Sequence, residues 1–135
     1  MTRHTTGYSG TPLAKKLGVK PGATVVLLGA PDDFEGTLGE LPEGVRLRRD
    51  RRARPDLVVW FLRSARELER DVAKITGWAV PAGLWIAWPK GSSPLAADFN
   101  REDVRDAGLA AGWVDHKVCA IDDDFSALRF APRQR

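Results

Sequence analysis

Pro21-Gly22-Ala23-Thr24-Val25-Val26-Leu27-Leu28-Gly29-Ala30-Pro31 is the stretch on which the fold turns. Pro21-Gly22 marks a turn, and Gly29-Ala30-Pro31 breaks the chain again. Between them, Thr24 to Leu28 is rich in β-branching and apolar on both sides. Such a strand is covered on both faces, as in the centre of a parallel sheet. Two more runs read the same way. Leu57-Val58-Val59-Trp60-Phe61-Leu62 predicts a second buried strand, and Leu84-Trp85-Ile86-Ala87-Trp88, stopped by Pro89, predicts a third.

Helical patterns alternate with these runs. Thr11 and Pro12 predict the N-cap and first position of a short helix, with Leu13, Ala14 and Leu17 apolar and Gly18 closing it. Asp32-Asp33 opens another short helix ending near Gly39, and Val45 to Arg48 predicts a more exposed strand. Ser64 caps a helix bearing Leu68, Val72 and Ile75. Asn100 and Asp103 have the spacing of a reciprocal cap, ahead of Val104, Ala107, Ala111 and a closing Gly112. Trp113 to Ile121 and Ala127 to Ala131 are joined through Asp122-Asp123-Asp124, too closely for a helical crossover, so they form an antiparallel hairpin. The expected fold class is α/β: a Rossmann-like, mostly parallel sheet of about six strands with an antiparallel C-terminal hairpin. It occupies residues 11-135 as a single domain, behind a flexible N-terminal arm over residues 1-10.

Composition agrees. The 135 residues, 43% hydrophobic and 29% charged, exclude a disordered tail, a collagen-like fibre and a disulfide scaffold. No run approaches the roughly 18 apolar residues that cross a bilayer, so no membrane partner is expected. Met1 to Gly7 lacks the apolar core of a secretory signal, and the lone Cys119 permits no internal disulfide, which points to the cytoplasm. The Arg-heavy, Lys-poor composition points to a GC-rich bacterium. The net charge of +3 conceals segregation. Residues 1–31 carry four bases and no acid, 32–45 five acids and no base, and 46–54 six arginines against Asp50. Arg48, Arg49, Arg51 and Arg52 are therefore nucleic-acid candidates, against the simpler reading of a solvated segment paired with neighbouring acids.

The order of elements carries a resemblance. Lys20 to Gly29, preceded by a helix, resembles the start of a class I methyltransferase domain. Pro55-Asp56-Leu57-Val58-Val59 resembles its fourth strand, Pro81-Ala82-Gly83-Leu84-Trp85-Ile86 its fifth, and Gly112-Trp113-Val114-Asp115 with the hairpin its antiparallel end. The stretch between the second and fourth strands is short, so the resemblance implies that order with one strand missing. Tyr8-Ser9-Gly10-Thr11-Pro12-Leu13, Lys16-Leu17-Gly18, Trp88-Pro89-Lys90 and Asp115 to Ala120 also resemble a family of short bacterial proteins catalogued as a domain of unknown function. Methyltransferases hold S-adenosylmethionine with an acid two residues before a glycine-rich turn. The matching positions are Leu27 for the acid, Gly29 for the first glycine, and Pro31 and Asp33 for later ones, while Asp50 matches an acid that binds ribose hydroxyls. These departures set the expectation of no cofactor, S-adenosylmethionine included.

In open α/β sheets, ligands bind beyond the carboxyl ends of the strands. That edge is expected to carry Gly29, Arg63, Trp88 and Lys90, with Tyr8 and Ser9 folding over it. Arg63 and Lys90 suit a small anionic ligand, and Tyr8 and Trp88 a planar group; alternatively the cations pair with Asp32, Asp33 or Asp56 and the tryptophans fill core. Gly7-Tyr8-Ser9-Gly10-Thr11 lacks the final glycine and the preceding strand of a nucleophile turn. Cys119 reads as a small buried thiol, and no zinc or calcium spacing exists. The leading expectation is a non-catalytic binding or interaction module. The alternatives are a small-molecule enzyme with a cationic cleft and a weak electrostatic nucleic-acid binder. A homodimer through exposed tryptophan or the hairpin is a further possible assembly.

Overall fold

The computed structural model describes residues 11–133. The chain runs α1 (Leu13–Lys16), β1 (Thr24–Leu28), α2 (Phe34–Thr37), β2 (Arg46–Arg48), β3 (Leu57–Phe61), α3 (Ala65–Ala79), β4 (Gly83–Pro89), α4 (Arg101–Ala110), β5 (Trp113–Ala120) and β6 (Phe125–Pro132). The expected N-terminal arm lies outside the described residues. Six strands form one sheet in the order β2-β1-β3-β4-β6-β5. The first four are parallel, and β6 runs antiparallel to both β4 and β5. This is the expected mostly parallel α/β sheet with an antiparallel hairpin at its end.

All five residues of β3 are buried, which requires cover on both faces. On one face Leu13 and Leu17, with Phe34 of α2, pack over Val25, Leu27, Val59, Phe61 and Trp85. On the other, Leu68 and Ile75 of α3 and Val104 of α4 pack over Val58, Trp60, Leu84, Ile86 and Phe130. The caps hold these helices in place. Ser64 Oγ accepts from the Glu67 amide at 3.1 Å, and Asn100 Oδ1 accepts from the Glu102 and Asp103 amides while Asp103 Oδ2 accepts from the Asn100 amide. Asp98 also accepts from the Ala65 amide at 3.0 Å, linking the starts of α3 and α4.

Three details differ from expectation. Helix α1 begins at Leu13 with Pro12 in the capping position. β6 starts at Phe125, because its ladder with β4 extends from Leu84–Phe130 to Pro89–Phe125. No tryptophan is exposed: Trp60, Trp85, Trp88 and Trp113 are buried, and Trp78 is half-buried with the Arg51 guanidinium 5.8 Å over its ring. The end of α1 is tied to the sheet from afar. Leu17 O accepts both Trp85 Nε1 at 2.9 Å and Arg129 Nη1 at 3.1 Å. Burial pushes the Arg129 pKa down. In β5 the register against β6 shifts between Asp115 and Lys117, leaving His116 out of the ladder.

Gly108 is where α4 lies closest to the sheet; a Cβ there would fall on the Phe130 ring. Gly108→Ala is therefore expected to destabilise the chain by about 1–2 kcal/mol, overpacking outweighing the better helix propensity of alanine. Urea unfolding checks this; an unchanged or higher midpoint would show that the ring yields instead.

Candidate functional site

The carboxyl ends of β1, β3 and β4 deliver Gly29, Arg63 and Trp88-Pro89-Lys90 to one edge, as expected. Gly29 has φ +68°, and a Cβ on it would sit 2.7 Å from Phe61 O. Only glycine permits this turn and this close approach of β1 to β3. Arg63 donates from Nη1 to Gly29 O at 2.7 Å, and its guanidinium lies 5.5 Å over the Phe125 ring. No carboxylate pairs with Arg63 among the described residues. Glu67 Oε1 instead accepts from the Arg63 backbone amide at 3.0 Å, and Asp56 accepts from the Thr24 amide at 2.8 Å. Gly29 and Arg63 are thus in contact, and Phe125 completes the group.

The other candidates are placed apart from this pair. Trp88 is buried with the α3 and α4 cluster and lines a separate cavity of about 240 Å³ with Pro89, Gly91, Phe99 and Asn100. Lys90 is half-buried, and its backbone amide donates to Asp124 O at 2.8 Å. Tyr8 and Ser9 lie outside the described residues. Cys119 is half-buried, and burial raises its pKa. Among the described residues no group of three His, Cys, Asp or Glu side chains is placed to hold a metal ion. No described helix is long and apolar enough to cross a membrane.

Arg49 links the acidic and basic blocks. Its Nε and Nη2 donate to the two carboxylate oxygens of Glu35 at 2.8 and 2.9 Å, while Nη1 reaches Ala30 O at 3.1 Å and Nη2 reaches Pro31 O at 2.7 Å. One guanidinium therefore braces the loop after β1 from the end of β2. Asp33 occupies the capping position of α2 yet makes no side-chain cap bond.

Three similar solved structures share this architecture. A SAM-dependent methyltransferase from Aquifex aeolicus has a TM-score of 0.55 and 14% identity, with 86% of this chain and 85% of that one covered. Magnesium protoporphyrin IX methyltransferase from Synechocystis PCC 6803 with bound SAH has a TM-score of 0.56 and 10% identity, covering 89% and 78%. A protein in the NADB-Rossmann superfamily from Streptococcus agalactiae has a TM-score of 0.56 and 10% identity, covering 91% and 68%. No family model and no curated protein sequence matches the chain. At these identities the likeness establishes a Rossmann-like, methyltransferase-like fold. It also corrects the expectation of no cofactor, because the Aquifex protein is SAM-dependent and the Synechocystis structure has bound SAH. Gly29 keeps its left-handed turn although Pro31 and Asp33 follow it.

The Arg49 hydrogen bond holds the Glu35 carboxyl down from its ordinary 4.5 to about 2. A depressed acid contributes stability that is present above 4.5 and is lost as pH falls towards 2. Both side chains are 39% exposed, so solvent screening keeps the effect modest. The melting-temperature advantage of the wild type over Glu35→Gln should hold above pH 4.5 and close between 4.5 and 2. A gap independent of pH would exclude this ion pair as its source.

Proposed function

We propose that the chain is a small-molecule-binding domain of methyltransferase-like type whose ligand is S-adenosylmethionine or its demethylated product, held across the carboxyl ends of β1 and β3. The observation that carries this reading is Arg63, fixed to Gly29 O at 2.7 Å and laid over Phe125, with no carboxylate partner among the described residues. A guanidinium so oriented suits a ligand carboxylate, since planar bidentate pairing is its favoured geometry. Gly29 supplies the close, side-chain-free turn beside it. Asp50, exposed after β2, accepts from the Arg52 amide at 3.0 Å and lies 3.6 Å from Arg48; the methyltransferase resemblance would give it the ribose hydroxyls. When bound, such a ligand supplies an activated methyl group on a sulfonium.

Four acids around the starts of α3 and α4 and on α2 favour binding over transfer. Glu67 and Asp98 accept from the backbone amides at the start of α3, Asp103 from the Asn100 amide, and Glu35 from Arg49. Each braces the framework, and a group engaged in that way is a poor general base. We therefore read the domain as a cytoplasmic binding module, akin to the short bacterial family its motifs resemble. Calorimetric titration tests it: the wild type is expected to bind S-adenosylmethionine or S-adenosylhomocysteine at micromolar concentration. Arg63→Met should weaken binding about tenfold or more, the range of a charge-assisted hydrogen bond. No heat with either compound would overturn the reading.

A further inference from the structure

Six arginines between residues 46 and 54 are not absorbed by this site, apart from Arg49. β2 is an edge strand, paired only with β1, and its Leu47 packs into the core on the α1 side. Side chains alternate along a strand, so Arg46 and Arg48 stand on the opposite face, where both are exposed. The loop after β2 continues on that side, since Arg51 reaches the Trp78 ring of α3 at 5.8 Å. Arg52 and Arg54 are exposed on the same loop. Arg49 is held by Glu35, and Arg48 approaches Asp50 at 3.6 Å. Arg46, Arg51, Arg52 and Arg54 make no salt bridge among the described residues.

Charged residues on an edge strand discourage pairing with another chain, and that role accounts for Arg46 and Arg48. It does not account for arginines on the loop beyond the edge. Asp50 lies within the run and Asp71 is within electrostatic reach of Arg51, so acids offset only part of the charge. The excess like charges repel one another, and a polyanion relieves that repulsion by releasing its condensed counterions. We propose that the face of β2 and its following loop bind the phosphate backbone of nucleic acid, without base recognition, through Arg46, Arg51, Arg52 and Arg54. Arginine suits phosphate because its fork pairs two oxygens at once, and it also stacks on exposed bases. None of these four arginines lies on a helix, so affinity rests on charge.

The test is fluorescence anisotropy with labelled 20-nucleotide single strands of unrelated sequence, titrated over a range of salt. Equal affinity for the different sequences is expected, with a log–log salt slope of about −3 for four phosphate contacts. Replacing all four arginines with Gln should weaken binding at least tenfold and flatten the slope. Arg52→Gln alone, on the exposed loop, should reduce the slope by about 0.7 and guards against a misfolded multiple variant. Absence of binding at low salt, an unchanged slope in the variants, or a marked preference for one sequence would each overturn the proposal. So would polyglutamate displacing the strand at equal charge concentration, which would assign the surface to an acidic protein.

Discussion

Burial of β3 on both faces is the constraint from which the rest of the molecule follows. Every residue from Leu57 to Phe61 is out of water, so the chain must place helices on either side and a strand on either edge of it. Parallel neighbours need crossovers, which α3 supplies between β3 and β4. The last two strands escape that requirement by turning back as a hairpin, and they need only α4 and the end of α1 for cover. The carboxyl ends of the four parallel strands share one edge of the sheet. Gly29 and Arg63 meet because β1 and β3 point the same way and stop at the same level.

The elements were legible because their signals are local. Uniform apolar runs mark β1, β3 and β4, and Ser64, Asn100 and Asp103 cap the helices they precede. The strand order was legible through the resemblance to methyltransferases rather than through periodicity. The details of the site were not legible, because they join residues far apart in sequence. Phe125 lies under Arg63 across 62 positions, Asp98 caps a helix 33 residues earlier, and Arg49 clasps Glu35 14 residues back. No spacing rule encodes such pairs. The sequence also misleads at the turn after β1, where a proline and two aspartates suggest a blocked ligand edge while the backbone keeps the glycine geometry.

Segregated charge, which looks in the sequence like two opposed blocks, has a different meaning in space. Glu35 and Arg49 come from the two blocks and neutralise each other while bracing the loop after β1. What remains on the basic side is a set of exposed arginines on the edge strand β2 and the loop that follows it.

The irregularity in β5 bears on how copies of the chain meet. Before His116, Val114 sits opposite Ala131; after it, Val118 sits opposite Leu128, an odd number of positions away along β6. The two exposed valines therefore point to opposite sides of the sheet. A strand arriving along this border in regular pleat could match one half of β5 and would present the wrong side chains to the other. The free border of the hairpin is thereby a poor template for an intermolecular sheet, and one displaced histidine gives the chain a defence against fibrous self-assembly.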